Sequence, residues 1–201
     1  MGEGCILRKM IENGNLSSFI LWGPPGVGKT TLAGIIAQTL SRDFYTLSAV
    51  SAGVKDVRDV IDKARGASVF SNGAAPILFI DEIHRFNKAQ QDALLGAVEN
   101  GTIVLIGATT ENPSFEVITP LLSRCQVFVL KSLEVNDLQM LLDRALKNDV
   151  LLKEKNIEVK ETEALFRYSG GDGRKLLNVL EIVIDSFAGK ESHIVIDNET
   201  V

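Results

Sequence analysis

The fold is set by residues 23–30, which read Gly23-Pro24-Pro25-Gly26-Val27-Gly28-Lys29-Thr30. This run matches the phosphate-binding pattern G-x-x-x-x-G-K-[ST], in which the glycines let several backbone N–H groups turn towards one phosphate. An apolar segment precedes it at 19–22, and a helical pattern follows it from Thr31 to Leu40. Strand, loop and helix in this order are what the motif requires. The sequence therefore predicts a loop that binds a nucleoside triphosphate.

Three side chains at the end of this loop are expected to complete the nucleotide site. Lys29 is predicted to reach the β- and γ-phosphates, and the Thr30 hydroxyl is predicted to ligate Mg²⁺. Thr31 begins the helical pattern, and the positive N-terminal end of that helix adds to the attraction for phosphate.

Composition places the chain among ordinary globular proteins. It has 201 residues and 45% hydrophobic residues, which suits one large domain or a large and a small one. No apolar run approaches the length of a membrane span, and two cysteines far apart in sequence, Cys5 and Cys125, do not form a disulfide framework. These features favour a reduced, cytoplasmic setting without membrane contact. The net charge of −5 gives no general attraction to nucleic acid, so DNA contact would need a local basic face.

Apolar segments and helical patterns alternate up to residue 130, which predicts an α/β domain at 1–130. Strands are predicted at 19–22, 44–47, 77–80, 102–108 and 127–130, and helices at 5–14, 31–40, 54–70 and 88–99. Such alternation is typical of a parallel sheet, here five-stranded, with helices on both faces. Beyond residue 130 helical patterns at 134–147, 161–168 and 174–187 predict a small all-helical subdomain at 131–201.

Two acids follow the third predicted strand, where ligands bind in an open α/β sheet. Asp81 is predicted to join Thr30 in the Mg²⁺ shell, and Glu82 is predicted to polarise the attacking water as a general base. Taken alone, the pair is equally typical of the start of a loop. Together with the phosphate loop it favours hydrolysis over mere binding.

Four further positions leave alternatives open. Thr110 and Asn112 follow the fourth predicted strand, where they either orient the water beside the γ-phosphate or belong to a polar turn. Arg124 is either a surface cation or an arginine finger for a neighbouring subunit's site. Arg174 either reaches the nucleotide or is a solvated arginine at a helix start.

Other classes of site are disfavoured. His84 and His193 lack the spacing of a metal centre and are interpreted as non-ligands. Asn87-Lys88 is followed by Ala89-Gln90 and not by the N-K-x-D of a guanine reader, which argues against a GTPase. A helicase built on Asp81–His84 would need a second large domain, for which the chain has no room.

The order of these motifs resembles the AAA+ ATPases, and most of all their RarA/MgsA group (replication-associated recombination protein A, related to the Werner-helicase-interacting protein). The runs specific to that group are D-E-I-H-R-F-N-K-A-Q-Q-D-A-L-L at 81–95 and G-A-T-T-E-N-P-S-F-E-V at 107–117. The resemblance implies Walker A at Lys29 and Thr30, Walker B at Asp81 and Glu82, sensor 1 at Thr110 or Asn112, the arginine finger at Arg124 and sensor 2 at Arg174.

The resemblance also implies what such a protein does. It implies an ATPase core that uses ATP or ADP with Mg²⁺ and acts on forked or single-stranded DNA in replication-fork maintenance and recombination. Its partners would be further copies of itself, as a tetramer in the full-length protein, and replication proteins such as single-strand-binding protein. It would be bacterial and nucleoid-associated. The helical part, a lid, would be incomplete at Val201, with the C-terminal oligomerisation region outside the chain.

Two kinds of alternative remain beside this interpretation. One is a clamp-loader-like or Holliday-junction-type motor, and the other is an ATP-switched DNA-binding scaffold with little turnover. The residues that would contact DNA are also open, because basic residues at helical spacing more often form a solvated face. The candidates are Lys55, Arg58, Lys63, Arg65, Arg85 and Lys88.

Overall fold

The computed structural model describes residues 6–68, 74–153, 155–187 and 193–201. Cys5 and the last two residues of the predicted helix 54–70 lie outside these ranges. Contacts divide the chain into two units. The first contains the described residues up to Gly23 together with Lys29–Leu130, and the second contains Pro24–Gly28 together with Lys131–Val201. The assignment of residues 1–130 and 131–201 as nucleotide-binding domain and lid stays a prediction.

The first unit alternates strands and helices as the sequence predicts. Its strands are β1 (Phe19–Trp22), β2 (Phe44–Ser48), β3 (Ile77–Asp81), β4 (Val104–Thr109) and β5 (Gln126–Val129). Its longer helices are α1 (Ile6–Glu12), α2 (Lys29–Thr39), α3 (Val54–Ser68) and α4 (Lys88–Glu99), followed by the one-turn helices α5 (Pro113–Glu116) and α6 (Thr119–Leu122). A short 3-10 turn, Ile83–Arg85, connects β3 to α4.

The five strands form one parallel sheet in the order β2-β3-β4-β1-β5. This confirms the predicted α/β core with a five-stranded parallel sheet flanked by helices. In the register, Trp22 of β1 lies level with Thr109 of β4, and Ile80 of β3 lies level with Gly107. The carboxyl ends of β1, β3 and β4 therefore meet at one edge of the sheet.

The sheet buries both of its faces. One face packs Ile20, Ile80 and Leu105 against α3 and α4, and the other packs Phe19, Phe79 and Ile106 with residues of α2. Burial on both sides explains why the inner strands read as continuous apolar runs without alternation. The edge strand β5 is largely exposed, although three of its four residues, Q-V-F-V, are apolar.

The second unit has a helical core and a small sheet. Its helices are α7 (Val135–Asn148), α8 (Glu163–Ser169) and α9 (Gly173–Ser186), and its strands are β6 (Ile157–Val159) and β7 (Ile194–Ile196), which pair in parallel. The prediction of an all-helical subdomain is wrong in this detail. Three-residue strands are too short to show a period in the sequence, and the segments that pair here are far apart along the chain.

No helix among the described residues is long and apolar enough to cross a membrane.

Candidate active site

The phosphate loop joins β1 to α2 and carries the backbone conformation that its glycines were predicted to allow. Gly26 has φ 69° and Gly28 has φ 86°, a region that residues with a Cβ rarely adopt. Lys29 begins α2, and the residue is only 7% exposed. The Lys29 Nζ donates a hydrogen bond of 2.7 Å to the carbonyl of Gly23. This hydrogen bond joins the first residue of the loop to the lysine at its end, while Thr30 and Thr31 lie exposed at the start of the helix.

Loop residues Pro24–Gly28 group with the second unit, where they contact the start of α9. The carbonyl of Gly26 accepts a hydrogen bond of 3.1 Å from the N–H of Gly173. A Cβ placed on Gly26 would overlap the carboxylate of Asp172. Asp172 is the N-cap of α9 and accepts from the N–H of Arg174 at 2.8 Å. The first turn of α9, which carries the exposed Arg174, is thus fixed by this N-cap.

The two predicted acids lie at the carboxyl end of β3. Asp81 is its last residue, and its Oδ1 accepts a hydrogen bond of 3.2 Å from the N–H of Glu82. Glu82 has φ 54° and ψ 46°, the left-handed conformation, which costs a non-glycine residue about 1–3 kcal/mol. Conformations of this kind cluster at active sites, and this one coincides with the predicted general base, although Ser41 just after α2 also has a positive φ of 50°.

A histidine links Glu82 to the neighbouring strand. The Nδ1 of His84 lies 3.2 Å from Oε2 of Glu82 and 3.0 Å from Oγ1 of Thr109, the last residue of β4. Thr109 is fully buried, and its carbonyl accepts a hydrogen bond of 3.1 Å from the N–H of Gly23. Sequence reasoning did not assign a role to either His84 or Thr109. The signal that would have found His84 is its position two residues after Glu82, within D-E-I-H.

The two candidates for sensor 1 follow β4. Asn112 is the N-cap of α5, and its Oδ1 accepts a hydrogen bond of 3.0 Å from the N–H of Ser114. Thr110 is partly exposed between the buried Thr109 and the exposed Glu111. Since Asn112 keeps its amide N–H₂ beyond this cap, both side chains stay candidates.

Arg124 lies on the surface just before β5. Its Nη2 is 2.9 Å from Oε1 of Glu99, and its Nη1 donates to the carbonyl of Pro120 at 2.8 Å. An exposed ion pair of this kind is worth only about 0–1 kcal/mol, so it is easily exchanged for another anion. Burial raises the pKa of the adjacent Cys125 thiol to about 11, which keeps it uncharged beside the arginine at neutral pH.

The family model of the ATPase family associated with various cellular activities (AAA) matches residues 19–133. The chain belongs to the AAA family. The matched region runs from β1 to Leu133 and so contains the phosphate loop, both acids and Arg124.

Individual relatives confirm the resemblance to the RarA group. The chain is 49% identical to Replication-associated recombination protein A of Coxiella burnetii over 98% of its own length and 45% of that protein. It is 50% identical to ATPase WRNIP1 of Dictyostelium discoideum over 89% of its own length and 20% of that protein. The chain thus spans less than half the length of these relatives.

A solved structure has the same fold. The Thermotoga maritima RuvB Holliday junction branch migration motor superposes with a TM-score of 0.74 and 29% identity. The superposition covers 96% of this chain and 63% of that one.

The donor atoms of this AAA site suit Mg²⁺. Mg²⁺ prefers oxygen ligands and takes one or two from a protein, with the remainder supplied by substrate phosphates and water. The Thr30 hydroxyl and the Asp81 carboxylate are oxygen donors of this kind. Among the described residues no group of three or more His, Cys, Asp or Glu side chains is placed to hold a metal ion.

Substitution of Gly26 by alanine should weaken ATP binding by at least about tenfold, because φ 69° and the carboxylate of Asp172 both exclude a Cβ. The matched variant is Gly34→Ala in α2, where a Cβ has open space and alanine favours the helix by about 1 kcal/mol. Titration with a fluorescent ATP analogue should show the loss for Gly26→Ala alone. Equal affinities in the two variants would contradict the proposed packing of the loop.

Proposed function

We propose that this chain binds ATP with Mg²⁺ and hydrolyses it to ADP and phosphate. The observation that carries the proposal is the placement of Lys29, Asp81 and Glu82 around one edge of the parallel sheet. Membership of the AAA ATPase family supports the same activity.

Binding would rest on the phosphate loop. The backbone N–H groups of residues 23–30 and the N-terminal end of α2 would surround the phosphates, with Lys29 between the β- and γ-phosphates. Thr31, one residue further along α2, would contribute to the same anion site. When bound with ATP, Mg²⁺ would neutralise charge on the β- and γ-phosphates, held by Thr30 and Asp81.

Hydrolysis would rest on Glu82. Its carboxylate would accept a proton from water as the water oxygen bonds to the γ-phosphorus and the bond to the bridging oxygen of ADP breaks. Thr110 or Asn112, at the end of the next strand, would orient the water or the γ-phosphate. Arg174 would interact with the phosphates from the start of α9.

The site would be completed by a second copy of the chain through Arg124. The guanidinium is exposed, and its contacts within its own subunit are a surface ion pair with Glu99 and hydrogen bonds to the carbonyl of Pro120 and to Oγ of Ser123 at 3.4 Å. Surface contacts of this kind are weak, which supports release of Arg124 towards a neighbour's γ-phosphate. An arginine supplied in this way stabilises the charge of the transition state.

We further propose that the protein acts on DNA in replication-associated recombination. The support is the identity of 45–50% to proteins named Replication-associated recombination protein A and ATPase WRNIP1, which exceeds the 29% to the RuvB branch migration motor. Bulk charge does not attract DNA to this chain, which carries a net charge of −5. On α3 the exposed basic residues Lys55 and Arg58 alternate with the acidic residues Asp56 and Asp59, which favours a solvated face on this helix.

Replacement of Glu82 by glutamine should lower the rate of ATP hydrolysis by about 10²–10⁴-fold, because the amide is no base for the attacking water. The affinity for ATP should be unchanged, since the phosphate loop is intact. Glu181→Gln, on the exposed side of α9, makes the same chemical change away from the site and should retain full activity. Multiple-turnover phosphate release measures all three proteins. Full activity in Glu82→Gln would exclude Glu82 as the base.

The shared site makes a prediction about mixtures. Arg124→Ala should bind ATP normally and hydrolyse it about 10³-fold more slowly, because the transition state loses its cation. Mixed with Glu82→Gln at a concentration where wild-type activity per subunit has risen to its plateau, it should regain part of the activity. In such a mixture an intact Glu82 from one chain meets an intact Arg124 from the other. A mixture no faster than its two components would show that Arg124 does not act on a neighbouring subunit.

A further inference from the structure

His84 contacts both the proposed general base, Glu82, and Thr109, the residue at the end of β4 that is bonded to the phosphate loop. Its ring lies between the side chain of Glu82 and the end of β4, with only 13% of its side chain exposed. The same nitrogen, Nδ1, faces both neighbours, at 3.2 Å from a carboxylate oxygen and 3.0 Å from a hydroxyl. Whether Nδ1 carries a hydrogen therefore decides whether the contact with the carboxylate is a hydrogen bond.

Hydrogen-bond accounting around His84, with Glu82 as an acceptor, assigns a hydrogen to Nδ1. A threonine hydroxyl has one hydrogen to donate and two lone pairs to accept with. The Thr109 hydroxyl donates to the carbonyl of Glu111 at 3.1 Å and accepts from the N–H of Glu111 at 3.0 Å. One lone pair remains, and it can accept a hydrogen from Nδ1 of His84. The carboxylate of Glu82 can only accept, so its contact with Nδ1 at 3.2 Å is a hydrogen bond when Nδ1 carries a hydrogen, and Thr109 can accept the same hydrogen.

The N–H of His84 is therefore shared between two acceptors that belong to different strands. Thr109 holds the imidazole ring in place, and the ring in turn contacts the carboxylate of Glu82. Thr109 is itself bound to the phosphate loop, since its carbonyl accepts the N–H of Gly23 at 3.1 Å. A continuous series of contacts thus runs from the first residue of the loop through Thr109 and His84 to Glu82.

The backbone of Glu82 explains why such a support is needed. In the left-handed conformation Glu82 begins the 3-10 turn that carries His84, and the turn brings the two side chains together. About a third of the Glu82 side chain is exposed, at 31%, so packing alone does not fix its rotamer. A glutamate side chain that is free to rotate would spend much of its time away from any one water position.

We propose that His84 is a positioning residue for Glu82, in which the Nδ1–H restrains the carboxylate and couples its orientation to the end of β4 and the phosphate loop. This inference rests on the proposed role of Glu82 as the general base. His84 itself exchanges no proton with the substrate in this arrangement.

The test compares three replacements of His84 by phosphate release at saturating ATP. In His84→Leu, kcat should fall by about 10- to 100-fold with KM nearly unchanged, because a misdirected base slows chemistry without weakening phosphate contacts. His84→Asn places an amide N–H₂ near the position of Nδ1 and should restore most of the rate. His84→Gln, whose amide extends to the position of Nε2, should not restore it, and this polar variant replaces His84→Leu should the latter not fold.

A double variant separates this role from a general structural one. If His84 acts through Glu82, adding His84→Leu to Glu82→Gln should cause no further loss of the residual rate. Wild-type or faster turnover in both His84→Leu and His84→Gln would overturn the inference, as would a full additional loss in the double variant. If either of these results is found while Glu82→Gln itself is inactive, the inference about His84 fails and the proposed function still stands. An active Glu82→Gln would refute the proposed function itself.

Discussion

The site depends on one constraint, the parallel pairing of β4 between β3 and β1. Parallel strands bring their carboxyl ends to one edge of a sheet, where side chains from different strands meet. Here that pairing sets Thr109 level with Trp22, directly before the phosphate loop, and sets β3 with its two acids on the other side of β4. Thr109 is the residue through which both neighbours are joined, by its carbonyl to Gly23 and by its hydroxyl to His84.

The sheet is strong enough to hold unfavourable local conformations at this edge. Its strands bury apolar side chains on both faces, with Phe19, Phe79 and Leu105 almost fully buried. Burial of each such side chain contributes about 1.5–3 kcal/mol, which exceeds or matches the cost of one left-handed residue. The free-energy cost of the left-handed conformation at Glu82 is thus offset by apolar packing in the sheet. The buried ammonium of Lys29 is held by the same framework, through the carbonyl of Gly23.

Much of this arrangement was predictable from the sequence, because its signals are local. The phosphate loop is a contiguous motif, and β1, β3 and β4 are apolar runs bounded by turn residues. The structure has helix α4 with the predicted ends, 88 and 99, and shows that Asn87 and Gln90 form a capping box at its start. The two-stranded sheet of β6 and β7 was missed because it pairs short segments that are distant in the chain.

The parts of the site that the sequence did not predict likewise depend on contacts between residues distant in the chain. His84 and Thr109 are 25 residues apart, and their contact exists only because β3 pairs with β4. The left-handed conformation of Glu82 carries no sequence signal, since it occurs at a residue other than glycine. The choice between Thr110 and Asn112 depends on where they lie relative to bound ATP, and the proposed role of Arg124 depends on a neighbouring copy of the chain.

The most direct test of the account is ATP cleavage by Lys29→Ala. Lys9→Ala, which removes an exposed lysine from α1, serves as the matched protein. The account predicts that Lys29→Ala loses both binding and hydrolysis of ATP in the presence of Mg²⁺, while Lys9→Ala retains both. Undiminished cleavage by Lys29→Ala would contradict the claim that the loop at residues 23–30 holds the triphosphate.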